Sequence, residues 1–225
     1  MTREATPCRE GDNGKFEMTE RDGWARLGKL HTSTHVLNTP CLLPVINPNI
    51  RTVEPREMWE RYGFEALITN SYVIWKHEKL KSAALSDGVH SLLDYPGVIM
   101  TDSGTFQNYV YGDVEVGVEE IVTFQREIGV DIATMLDVFG TPDMTKEEVA
   151  EAVKETIDRA EVSIKAAGDT MLNGPIQGGI HADLRNESAI GMAHYPFSVH
   201  PIGGIVPLME RQRYRDLVEI ILSCR

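Results

Sequence analysis

The stretch "PGVIMTDSGTFQNYVYGDVEV", residues 96 to 116, sets the problem of this chain. An apolar run, Val98-Ile99-Met100, reads as a strand and stops abruptly at Thr101-Asp102-Ser103-Gly104, with Phe106 and Gln107 directly after. A buried strand that ends on a carboxylate, a glycine and an aromatic ring gives up apolar contact at its tip. The same pattern recurs along the chain. Short, mostly apolar strands are predicted at 36–46, 66–73, 98–102, 132–138, 173–178 and 197–204. Asn70-Ser71, Asp102-Ser103, Asp137, Gln177 and Gly203-Gly204 fall at or just past the C-terminal ends of five of them.

Helical spacing fills the intervals. Residues 55–62 begin with Pro55, which suits a first helical position. Residues 76–86 and 118–128 carry apolar positions three and four apart. A single helix is predicted over 145–167. Thr145 and Glu148 form a capping box there, and Val149, Val153, Ile157 and Ala160 a stripe. Residues 181–193 and 209–224 read as two further helices. Residues 16–35 are expected to form a small hairpin lid, and 1–15 a frayed tail.

Strand–helix alternation implies parallel pairing, in a doubly wound open sheet or an eight-fold βα barrel. Polar residues at many separate strand ends favour the barrel, whose active sites lie where those ends converge. An open sheet would gather them at a switch point, and the first strand lacks a G-x-G-x-x-G turn. The expected fold is therefore a (β/α)8 TIM barrel. Six strands and 225 residues, against about 250 for a typical barrel, imply that it is incomplete, at about six βα units. No composition shift marks a domain boundary, so 16–225 reads as one unit.

Composition narrows the class. A hydrophobic content of 42% is ordinary for a globular chain, and no apolar run is long enough to span a membrane. The polar N-terminus lacks the apolar segment of a secretory signal. Cys8, Cys41 and Cys224 are far apart, which argues against a disulfide framework or a zinc site and suits a reducing cytoplasm. The net charge of −12 is unlike the basic footprint of nucleic-acid binders. Contact with nucleic acid would need a local patch or residues outside these 225.

Each signal alone has a plain alternative. Asp102-Ser103-Gly104 also fits a turn closed by an Asx hydrogen bond. Asp131 shares no simple strand face with Thr134 and Leu136, and reads as a solvated or capping acid. The pairs Gly178-Gly179 and Gly203-Gly204 also fit tight turns. Gln177, between Ile176 and Gly178, must find polar partners. Together, two carboxylates, a carboxamide, bare glycine backbone and the Phe106 ring describe a pocket for a flat, hydrogen-bonding heterocycle. A carboxylate matches the adjacent ring N–H and amino N–H of a guanine edge.

The segments "IMTDSGTFQ", "VDIATMLDV", "PIQGGIHADLR" and "HPIGGIVPL", with "LITNSYVIWK" before them, resemble the ordered motifs of tRNA-guanine transglycosylases, archaeosine-type branch. The resemblance implies an (α/β)8 barrel that exchanges guanine in tRNA for a 7-deazaguanine, preQ0 in that branch. It implies that Asp102 is an active-site carboxylate, nucleophile or general acid/base. It places Asp137 on the base, Phe106 stacked against it, and Gln177 and Gly204 in the same pocket, with Ser103 and Gly203 carried over more loosely. It implies no redox or nucleotide cofactor. The family continues into two more βα units with a second aspartate and a zinc site of three Cys and one His, neither of which has a counterpart here. A fragment or one half of a split enzyme, inactive alone and completed by a partner chain or a homodimer, is the expected reading. A non-catalytic base-binding accessory subunit is the alternative, and an unrelated barrel glycosidase using Asp102 and Asp137 fits the motifs worst.

Overall fold

The computed structural model describes residues 8–9, 11–105 and 116–224. Phe106, and residues 1–7 and 10 of the expected tail, lie outside the described residues. The chain opens with three antiparallel strands, β1 (Phe16–Asp22), β2 (Ala25–His31) and β3 (Val36–Thr39), paired in the order β1-β2-β3. Five parallel strands follow: β4 (Val45–Ile46), β5 (Ala66–Asn70), β6 (Val98–Asp102), β7 (Ile132–Thr134) and β8 (Met171–Asn173). Their order in the sheet is their order in the chain. An open doubly wound sheet reverses direction somewhere; this one does not. Parallel bridges from Asn173 to Val199 and from Ile176 to Ile202 continue the same edge.

The helices among the described residues are α1 (Pro55–Glu60), α2 (Ser71–Lys76), α3 (Glu78–Leu93), α4 (Val118–Glu127), α5 (Lys146–Asp158), α6 (Ala160–Ala167), α7 (Ala182–Ala193), α8 (Val206–Glu210) and α9 (Tyr214–Ser223). Strand alternation divides the core in two. Leu67, Ile99, Ala133 and Leu172 face the helices, packing with Val89, Leu93, Ile121 and Phe124. Ala66, Val98, Ile132 and Met171 face the other way and meet Leu30 and Leu37 of the antiparallel sheet. All four are the first residues of their strands, so the small sheet seals the N-terminal ends of the parallel one. The C-terminal ends stay open.

Several expected boundaries shift for local reasons. The run 36–46 is two strands in two sheets, because Pro40 and Pro44 lack the N–H a ladder needs. The strand expected at 66–73 stops at Asn70, whose side chain accepts the Val73 N–H at 2.9 Å and starts α2. The strand expected at 132–138 ends at Thr134, where the buried Gln125 of α4 takes over the edge. Its carboxamide accepts the Thr134 N–H at 2.9 Å and donates to the Thr134 carbonyl at 2.9 Å. The segment 173–178 is strand only as far as Asn173, and 197–204 pairs only at Val199 and Ile202. The helix expected over 145–167 is α5 and α6, parted at Arg159, and 209–224 likewise divides at Arg211–Arg213. The Thr145–Glu148 capping box is formed as expected.

Asp131 is corrected outright. It is 1% exposed, not solvated. Its carboxylate accepts the Ile99 N–H at 2.8 Å and the hydroxyls of Thr34 and Ser33, and lies 3.0 Å from His90 Nε2. The antiparallel sheet's loop, α3 and β6 thus meet on one buried charge. Strand periodicity could not reveal this, because Asp131 precedes β7 rather than belonging to it.

Candidate active site

The turn after β6 answers the question posed by its sequence. Gly104 has φ = +102°, and its N–H reaches back to Asp102 Oδ1 at 3.3 Å, closing an Asx turn. A side chain at Gly104 would collide with Tyr72 Cβ at 2.5 Å, so only glycine lets this turn lie on α2. Ser71 holds the turn from the neighbouring strand end, its hydroxyl donating to the Asp102 carbonyl at 2.7 Å. Asp102 is thereby left facing a cavity.

That cavity measures about 350 Å³ and lies at the C-terminal ends of β5 to β8. Asp102, Asp137, Gln177, Gly203 and Gly204 all line it, so four separate loops do converge. Ser103 is fully buried with its hydroxyl 3.4 Å from that of Thr105, and does not line the cavity. Phe106 lies outside the described residues. Among the wall residues that sequence reasoning missed are Asn173, Thr134 and Phe139. Asn173 and Thr134 face each other in register across β7 and β8, and the Asn173 amide donates to Thr134 Oγ1 at 2.9 Å. A polar residue at an inward strand position was a signal available in the sequence for both.

Asp137 is fixed from three sides. Thr105 Oγ1 donates to its carbonyl at 3.0 Å. Arg159 Nη1 donates to the Leu136 carbonyl at 3.0 Å, and Thr156 accepts the Val138 N–H at 2.9 Å. The Gln177 amide donates to Asp137 Oδ2. Gln177 has room for this because residue 203 is glycine; a Cβ there would sit 2.2 Å from Gln177 Nε2.

The electrostatics run one way. Burial, then the nearby charge of Asp137, lift Asp102 from the usual carboxylate range to about 6, against the opposing hydrogen bonds of Gly104 and Ser103. Burial also raises Asp137, with hydrogen bonds from Thr105 and Gln177 pulling the other way. Two acceptors in the wall, Gln177 Oε1 and Asn173 Oδ1, have no hydrogen-bond partner among the described residues. A cavity walled by two carboxylates and two unused carbonyl oxygens is matched by a ligand rich in N–H donors. No group of three or more His, Cys, Asp or Glu among the described residues is arranged to hold a metal ion.

Comparison with known proteins shows the family. The family model described as "TGT: Queuine tRNA-ribosyltransferase" matches residues 21–225. The tRNA-guanine(15) transglycosylase of Thermoplasma acidophilum is 48% identical over 211 residues, which are 93% of this chain and 33% of that protein. The protein of the same name from Methanopyrus kandleri is 45% identical over 213 residues, 95% of this chain and 46% of its own length. That of Methanothermobacter thermautotrophicus is 46% identical over 208 residues, 92% of this chain and 31% of its own. The chain thus spans between about a third and a half of the length of these relatives. The match runs through every loop that lines the cavity, and the chain belongs to the queuine tRNA-ribosyltransferase family.

Proposed function

We propose that this chain forms the base pocket of a tRNA-guanine transglycosylase that exchanges guanine in tRNA for a 7-deazaguanine such as preQ0. The observation that carries this is the cavity in which Asp102, Asp137 and Gln177 meet with unused acceptors around them. Guanine presents adjacent ring and amino N–H groups, which one carboxylate accepts as a pair. Asp137 is that carboxylate. Its raised affinity for protons makes base binding stronger as pH rises and the group ionises. The Gly203 N–H is given to the Ile176 carbonyl at 3.0 Å, which leaves the Gly204 N–H as the backbone donor for the base carbonyl.

Exchange is a double displacement at the anomeric carbon. A carboxylate attacks as the bond to guanine breaks, and the incoming base displaces that carboxylate with the same net stereochemistry. One N-glycosidic bond replaces another, so no redox or nucleotide cofactor is called for. Guanine leaves well only when its ring nitrogen gains a proton, and a carboxyl raised to about 6 is protonated in roughly a tenth of molecules at pH 7, a far larger share than an ordinary carboxyl keeps. We assign Asp102 this proton-transfer role. We place the nucleophile, the zinc site and the tRNA-gripping surface, as the resemblance implies them, in further length of the kind that the relatives have beyond this match.

In fold terms, the five parallel strands and the bridged segment at 199–202 form part of a (β/α)8 barrel, and two more βα units close it. Val45 on the edge strand β4 is 80% exposed, as expected of a face awaiting such cover. Those units come from further length of the same polypeptide or from a second, different chain, in a cytoplasmic enzyme. The test has two arms. Equilibrium dialysis with radiolabelled guanine should detect binding to the 225 residues alone. Incorporation of labelled guanine into tRNA should be absent alone and appear when the completing segment is added. Exchange by the isolated chain refutes the two-part reading; binding without exchange in any combination favours the accessory subunit.

A further inference from the structure

Arg185 of α7 is the largest side chain with no solvent exposure among the described residues, and it does not line the cavity. Its Nη1 donates to the Ile176 carbonyl at 2.8 Å and its Nε to the Gly179 carbonyl at 3.0 Å. These carbonyls bracket Gln177 and Gly178. The grip is close on both sides: a Cβ at Gly178 would lie 2.6 Å from Arg185 N, so the bracketed segment rests directly on the helix backbone. The third nitrogen, Nη2, has no hydrogen-bond partner among the described residues. It lies beside Gly204, whose would-be Cβ is 3.6 Å from Nη2 and 3.3 Å from Gln177 Oε1, an acceptor of the pocket that also has no partner among the described residues.

A buried cation without a carboxylate beside it is costly, and an apolar side chain of the same volume would pack α7 at less cost. Among the described residues no carboxylate forms an ion pair with Arg185. What guanidinium provides and an apolar chain cannot is a rigid plane of donors that spans two carbonyls at once. We propose that Arg185 is a positioning residue of the base pocket: it clamps the backbone on either side of Gln177 and braces the Gly203-Gly204 turn, so that the Gln177 carboxamide and, through it, Asp137 stand ready for the base. This deepens the base-pocket reading and rests on it.

The experiment is a double-mutant cycle on the 225-residue chain, with guanine affinity measured by equilibrium dialysis. Arg185→Lys retains charge and loses the two-carbonyl span, and should weaken guanine binding about tenfold. Because Arg185 acts through Gln177, Arg185→Lys should add nothing to the loss already caused by Gln177→Ala. Wild-type affinity in Arg185→Lys, or a loss that adds in full to that of Gln177→Ala, overturns the proposal. Should Arg185→Lys fail to fold, the wild type decides: the Arg185 Nε–H resonance must shift when guanine is added, and an unmoved resonance overturns it equally. A wild-type chain that binds no guanine instead refutes the base-pocket reading itself.

Discussion

Strand β7 carries a buried aspartate beyond each end, and the two behave oppositely. Asp131 precedes the strand at the sealed end of the sheet; Asp137 follows it at the open end. Asp131 accepts from Ile99, Thr34 and Ser33 and faces His90, and those partners hold its carboxyl below the ordinary range even though burial pushes the other way. Asp137 has fewer donors, and burial wins. Asp102, across the cavity, follows Asp137 rather than Asp131. Burial alone therefore does not mark a functional acid. A buried carboxylate that the fold has saturated with donors holds the fold together, and one left short of donors is available to a ligand.

Removing the saturated acid should have the largest effect. Asp131→Ala leaves the Ile99 N–H and His90 without their partner, and should cost about 4 kcal/mol in urea denaturation. The opposite sign is expected at the open end. Asp102 is raised from 3.8 to about 6 in the folded chain, so the unfolded chain ionises first as pH rises. Stability due to this group falls between about pH 4 and 6 and stays reduced above, by about 3 kcal/mol. Asp102→Asn should therefore stabilise the chain at pH 8, do little at pH 4, and abolish exchange by the completed enzyme. A destabilised Asp102→Asn at pH 8 breaks the comparison.

Asp137→Ala should lower guanine affinity about a hundredfold by equilibrium dialysis while unfolding no more readily than wild type. The smallest effect sharpens the sealed end. Burial opposes the charge on His90, but Asp131 and the Tyr95 carbonyl outweigh it and raise its pKa. Its contribution is thus full below about 6.5 and lost as pH rises through the raised value. His90→Gln should cost about 1 kcal/mol at pH 6 and less at pH 9. A uniform loss across that range would remove the charge from the account.

The site was more legible than the fold's fine divisions. Asp102, Asp137, Gln177 and Gly203-Gly204 stood out because polar groups and paired glycines are out of place at apolar strand ends. Element boundaries slipped where a side chain replaced a ladder bond, as Gln125 does beside Thr134 and Asn70 does before α2. Arg185 and Asp131 were misjudged or passed over for the same reason. Arg185 sits in a helix whose sequence has no marked apolar face to single it out, and Asp131 looks like any acid in a turn.

Local sequence determined the strand–helix alternation, the capping box at Thr145 and the set of residues that break hydrophobic pattern, because each depends on neighbours within a few positions. Which of the buried charges would be satisfied was decided only by the tertiary structure. The donors for Asp131 come from residues 33, 34, 90 and 99, and the brace on Gln177 comes from Arg185 and from the bare backbone at Gly203. The number of donors that reach a carboxylate sets its proton affinity, and that number exists only once distant segments have packed.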